Sequence, residues 1–199
     1  MVLVYPLVVG LLVAPLLGGD LRKLAQLRLR GVSLLYLALG LQLVAFPVGA
    51  LPVRVGDSTA VVLWLLSYGL LAVATVLNIR RAGLPLIAAG VAANVAAVVA
   101  NGGHMPVLPE AMHAAGYAYG VHFNSAALAS PHFAWLVDRW AAPRWLPGAN
   151  VFSLGDVLIA LGGLLFPLGA TGVLRRLRLR LPGSTRQPVL QILEAKREA

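Results

Sequence analysis

The sequence predicts an all-α integral membrane bundle of five transmembrane helices, N-terminus outside and C-terminus inside. Three observations carry this prediction. Five apolar stretches, at about 2–18, 32–51, 59–79, 84–100 and 154–174, have the length that crosses a ~30 Å hydrocarbon core at about 1.5 Å per residue. A mean hydropathy of +0.84 with only 12% charged residues excludes both a soluble globular domain and a disordered chain. The basic residues also sort to one side. Arg22, Lys23, Arg28 and Arg30 follow the first stretch, Arg80 and Arg81 follow the third, and Arg175, Arg176, Arg178, Arg180, Arg186, Lys196 and Arg197 follow the fifth. Only Arg54, Arg139 and Arg144 fall opposite, which sets the orientation by the positive-inside rule.

The first stretch lacks a basic segment before it, so it is expected to be a retained span and not a cleaved signal peptide. Pro6 and Pro15 sit near its ends, where backbone N–H groups have least to lose. Residues 20–30 place Leu21, Leu24 and Leu27 at spacing three among basic residues, the pattern of a short amphipathic helix on the inner surface. The second span closes at Pro47–Pro52 and a short outer turn follows at 53–58. Arg80–Gly83 is short enough to make the third and fourth spans antiparallel neighbours, with Pro85 in the first turn of the fourth. The outer connector, 102–152, is rich in Ala, His and Trp. Ser130–Pro131 reads as an N-cap followed by a first-turn proline, opening a helix to about Trp140, and Phe133, Trp135, Trp140 and Trp145 fit an interfacial aromatic belt. Leu174–Leu181 alternates Leu and Arg, and Pro188–Glu198 has one apolar face; both are expected along the inner surface. The division is therefore a membrane domain over 1–181 and a basic cytoplasmic tail over 182–199.

A net charge of +9 placed this way orients the chain and meets anionic lipid headgroups at the inner face; nucleic acid is not an expected partner. The chain has no cysteine, which excludes disulfides, thiolate metal sites and cysteine nucleophiles.

Few side chains within the apolar stretches can carry chemistry. Asp156 is the single acid in them, and an intramembrane acid is a functional candidate by default. Ser153-Leu154-Gly155-Asp156 also fits a capping box, with Ser153 as N-cap and Asp156 at N3, which is the preferred reading. Gln42 and Asn94 lie mid-span and need partners on other helices, while Asn78 is expected to meet headgroups or hairpin backbone. Asn94 and Asn101 share one helix face, and a polar track from Gln42 through Asn94 to Asp156 is the alternative with functional content. Asn101-Gly102-Gly103-His104 followed by Met-Pro is a helix stop, or a place where backbone approaches a ligand closely. His104, His113, His122 and His132 are not spaced as metal ligands on any one helix, and no catalytic or cofactor motif occurs, so neither metal, cofactor nor catalytic residue is expected.

At these residues the chain resembles the small bacterial membrane proteins grouped as domain of unknown function 5317, from about Gly19 to about Leu174. The likeness rests on Leu24–Gly31, the glutamine in the second span, Asn94 with the Asn101-Gly-Gly-x-Met-Pro-Val stretch, Leu136-Val137-Asp138, and Asn150-x-Phe-Ser-x-Gly-Asp156. Val137 departs from the glycine usual there. The resemblance implies a five-span, multi-pass protein of the bacterial cytoplasmic membrane and implies no activity. The leading functional expectation is a non-enzymatic accessory or scaffold subunit with a membrane protein partner. The alternatives are a small transporter or lipid- or solute-binding protein with a site at Gln42, Asn94, Asn101, Gly102, Gly103, His104 and Asp156, and an outer-face enzyme using His104 or His113 with Asp156 or Glu110.

Overall fold

The computed structural model describes residues 4–45, 55–116, 125–147 and 150–180. Among these, eight helices dominate: α1 (Val4–Leu16), α2 (Leu21–Ala25), α3 (Val32–Ala45), α4 (Asp57–Leu77), α5 (Leu84–Ala100), α6 (Pro109–Ala115), α7 (Leu154–Ala170) and α8 (Val173–Arg180). Five of them, α1, α3, α4, α5 and α7, are apolar along their length. Only Ser58–Leu77 within α4 is both long and apolar enough by itself to cross a membrane. α1 and α3 abut residues that are not described; positions 53–54 of the expected outer turn, and the 182–199 tail with its helix, also lie outside the described residues.

The helices are ordered α3–α4–α5–α7–α1, with α5 against α7, α3 against α4 and α1 against α7 forming the extensive contacts. Side-chain size explains why α5 and α7 come so close. Gly83 and Gly90 are seven residues apart, as are Gly155, Gly162 and Gly169, so each set lies along one helix face. A methyl group on Gly83 would overlap the Gly162 carbonyl, and one on Gly90 would overlap that of Gly155. A methyl on Gly169 would overlap Ala82. The seam is thus backbone against backbone, the small-residue packing that gains van der Waals contact without large side chains. Gly10 plays the same part between α1 and α7, where a Cβ would stand 2.6 Å from the Leu164 carbonyl oxygen.

Chain ends fix the directions. At one end, the Asp20 amide donates to the Thr171 carbonyl (3.1 Å), Arg176 donates to the Gly18 carbonyl, and the Arg30 amide donates to Asn78 Oδ1 (2.9 Å). Arg22, Lys23, Arg28, Arg30, Arg80, Arg81, Arg175 and Arg176 all belong to the segments gathered there. The connector between α5 and α7 covers the opposite end, where Tyr5 Oη at the start of α1 donates to the Pro147 carbonyl (2.7 Å).

The structure corrects the sequence reading of the connector and of two helix limits. The connector holds four short strands, so the chain is mostly, not wholly, helical. β1 (Met105–Val107) pairs in parallel with β2 (Ser125–Ala127), and β3 (Trp140–Ala141) pairs antiparallel with β4 (Val151–Phe152). No helix opens at Pro131. Phe133 takes a left-handed φ of 52°, and the following residues extend beside β1, where the Asp138 amide donates to the Pro106 carbonyl (3.0 Å) and the Leu108 amide to the Asp138 carbonyl (2.9 Å). Backbone pairing with β1, remote in sequence, outweighs the local cap signal. The last apolar helix ends at Ala170, not Leu174, because Gly172 at φ +86° makes a left-handed stop before α8. The amphipathic helix expected over 20–30 is the single short α2, capped by Asp20, whose side chain accepts from the Arg22 amide at 3.0 Å.

Candidate functional site

The polar residues within the apolar helices meet at helix crossings. Ser153 opens α7 as its N-cap: its Oγ accepts from the Asp156 amide (3.1 Å), and Asp156 Oδ2 accepts from the Ser153 amide (3.1 Å). This reciprocal pair is a capping box that satisfies two donors otherwise orphaned at a helix start. Asn94 of α5 completes it from across the seam. Its Nδ2 donates to Asp156 Oδ1 (2.9 Å), and its Oδ1 accepts from Ser153 Oγ (2.9 Å). Both Asp156 oxygens and the Asn94 carbonyl are therefore occupied by protein groups, and Ser153 and Asn94 are buried. Gly155 makes this approach possible, because any Cβ there would overlap Asn94 Oδ1.

Gln42 belongs to a different crossing, that of α3 and α4, where its Nε2 donates to the buried Ser67 Oγ (3.1 Å). Asn94 and Asp156 are brought together; Gln42 sits on the α3–α4 seam and does not join them. Asn78, capping α4, takes both backbone groups of Arg30: it accepts from the amide (2.9 Å) and donates to the carbonyl (2.8 Å). Asn101 at the end of α5 accepts from the His132 amide (2.8 Å) and donates to the His132 carbonyl (3.0 Å), stapling the connector to the helix. Gly102 and Gly103 are left-handed, and the Gly103 amide donates to the Val98 carbonyl (2.9 Å), the long bond of a Schellman stop. His104 is half-buried beside this stop, while His113 and His132 are exposed. His122 lies outside the described residues. Among the described residues no three His, Asp or Glu side chains converge as metal ligands.

A matching family model, a family of unknown function (DUF5317), covers residues 26–168. The chain belongs to this family. No curated protein and no solved structure matches it. The matched region of this DUF5317 chain contains Gln42, Asn78, Asn94, Asn101, Asp138, Ser153 and Asp156, and excludes α1, α2 and α8.

Sequence reasoning named one titratable residue of this region, Asp138, only within the family resemblance and gave it no role. Asp138 is buried at 7% exposure within the connector, beside the apolar cluster of Trp64, Ala97, Val98, Met105 and Leu136. Burial pushes its carboxyl up to about 7, and the negative charge of Asp156 adds to the push. The available signal was an acid following two apolar residues, Leu136 and Val137, in a connector otherwise poor in charge. A cleft of about 230 Å³ opens beside Asp156 between α1 and α7, lined by Pro6, Phe152, Val157, Ala160, Leu161 and Leu164.

This wiring has a measurable consequence. Asp156→Asn leaves one oxygen to serve both Asn94 and the Ser153 amide, and should cost about 1–2 kcal/mol. Asn94→Leu strands both the Ser153 hydroxyl and an Asp156 oxygen, and should cost about 2–3 kcal/mol. Unfolding the two single variants and the double variant in detergent should give a coupling energy of at least ~0.5 kcal/mol. Additive costs would show that the bonds contribute no shared stability.

Proposed function

We propose that this protein is a five-span integral protein of the bacterial cytoplasmic membrane, N-terminus outside, acting as a non-enzymatic accessory or scaffold subunit. Residues 1–181 form the membrane unit and 182–199 a basic cytoplasmic tail. The observation that carries the membrane assignment is the sorting of side chains. Large apolar residues face outward on α1 (Val8, Leu12, Leu16), α3 (Tyr36, Leu37, Leu39) and α4 (Val62, Leu66, Val76), while small and polar ones (Ala14, Ala38, Ser67, Thr75, Asn78, Asn94, Ala97) are buried. In water that arrangement leaves an apolar belt far larger than a monomer tolerates; in lipid it is the stable one. The gathering of arginines at one bundle end supports the cytoplasmic assignment of that end. Exposed Phe133, Trp135 and Trp145 in the connector support an aromatic belt at the other.

The non-enzymatic part rests on how the polar side chains are used. Gln42, Asn78, Asn94, Asn101, Ser153 and Asp156 are each committed to hydrogen bonds that tie one element to another. No buried side-chain nitrogen or oxygen among the described residues lacks a partner. Groups so used hold a shape and present little to a substrate.

A cysteine-free chain allows a direct test. Ser130→Cys in intact cells should react with a membrane-impermeant maleimide, and Ser184→Cys only after lysis. Reaction of Ser184→Cys in intact cells would overturn the topology. Native mass spectrometry of gently extracted membranes should find a stoichiometric protein partner, and a lone monomer there would defeat the accessory role. The cleft beside Asp156 supports a second reading, lipid or solute binding, for which Asp156→Asn abolishes function beyond what its cost of about 1–2 kcal/mol in stability explains.

A further inference from the structure

The basic end of the bundle contains a groove of about 660 Å³ between the α2–α3 loop and the α4–α5 turn, and four arginines line it: Arg28, Arg30, Arg80 and Arg81. Among the described residues no carboxylate lines it. Its frame is rigid. Asn78, buried at the groove floor, holds both backbone groups of Arg30 and also donates to the Ala74 carbonyl (2.7 Å). The Arg81 guanidinium donates to the Arg28 carbonyl, clasping the loop from the other side. Arg28, Arg30 and Arg81 are thus fixed through their backbones. Among the described residues, no side chain or carbonyl engages the guanidiniums of Arg28, Arg30 and Arg80.

We propose that this groove is a binding site for a phosphate-bearing anion with two phosphates. Folding brings together three guanidiniums that no described residue engages, against their mutual repulsion, and an arginine fork matches phosphate oxygens in pairs. The space exceeds what one phosphate fills. Val76 and Leu77, at 63% and 45% exposure, continue the groove wall along α4 away from the arginines. An acyl chain fits such a wall, so a diphosphate lipid headgroup is the favoured source over a soluble diphosphate. Basic pockets at the cytoplasmic ends of membrane helices recognise headgroups by this chemistry. The lipid source rests on the membrane assignment above; the anion site itself does not.

The test compares two double variants of equal net charge in purified full-length protein. Arg30→Gln with Arg80→Gln empties the groove, whereas Arg22→Gln with Arg175→Gln removes two exposed cations outside it. Neither touches the backbone bonds to Asn78, and unliganded melting should be the same for both. In nanodiscs of phosphatidylcholine doped with diphosphatidylglycerol, the groove variant should retain that lipid about tenfold less than the wild type, and the control variant should match the wild type. Inorganic pyrophosphate, added to protein in detergent, supplies the arm that needs no bilayer. Stabilisation by pyrophosphate alone, lost in the groove variant, would keep the anion site and assign it to a soluble ligand. Equal loss in both variants, or no retention of either anion by the wild type, would overturn the proposal.

Discussion

Gly83→Ala is expected to lower the melting temperature more than a methyl group added at any other described glycine. Two costs fall on the same atom. Gly83 has φ +84°, a conformation that an alanine adopts at about 1–3 kcal/mol. Its Cβ would also overlap the Gly162 carbonyl and stand 2.8 Å from the Phe166 amide nitrogen, both backbone groups with no rotamer to yield. Overpacking of this kind adds about 1–3 kcal/mol or more, against a total stability of about 5–15 kcal/mol. Gly155→Ala should follow closely, since its Cβ overlaps Asn94 Oδ1 and displaces the amide that joins α5 to the start of α7. The control is Gly69→Ala in α4, where nothing lies within 4 Å and the helix gains about 0.5–1 kcal/mol. Thermal melting and gel filtration in detergent distinguish these cases. A Gly83→Ala protein that melts like the wild type would mean that α5 and α7 do not approach each other this closely.

That seam shows what the sequence displayed and what it concealed. The five apolar stretches became the five apolar helices because hydrophobicity over many residues is a local property that tertiary contacts rarely reverse. The capping box at Ser153 and Asp156 is local too, four consecutive residues whose bonds close within one turn. The partner of that box was not local. Nothing in the chain around Asn94 names Ser153 and Asp156, 59 and 62 residues away, as the groups it joins. The seven-residue glycine spacing was printed in the sequence, but its meaning depends on which helix faces which. The connector was the least legible part. Three-residue strands carry no periodicity, and the pairing of Met105 with Ser125 joins residues on either side of α6, so a Ser-Pro cap signal at 130–131 prevailed in the reading and failed in the fold. Asp138 was given no role for the same reason: its burial is created by the ladder that draws it against Pro106.

Asp138→Asn should flatten the pH dependence of stability and make the protein more stable than the wild type above neutrality. In the folded state the Asp138 carboxyl is pushed from 3.8 to about 7, first by burial and then by the charge of Asp156. Between those values the folded chain keeps a proton that the unfolded chain has released. The direction follows from that difference: the stability contribution is complete below about pH 4, falls as pH rises through the window, and is lost above about 7. Each tenfold difference in proton affinity between the two states corresponds to about 1.4 kcal/mol, so the loss across the window is at most about 4 kcal/mol. Asparagine is neutral throughout and keeps the same shape, so it carries the protonated form's stability to high pH. Unfolding both proteins near pH 4.5, 6 and 8 should give curves that meet at the acid end and diverge at the basic end. Parallel curves would mean that Asp138 folds with its charge in place and that the connector holds a counter-charge. A divergence that shrinks in an Asp156→Asn background would locate part of the penalty in the repulsion between the two carboxyls. The connector would then be linked electrostatically to the first turn of α7.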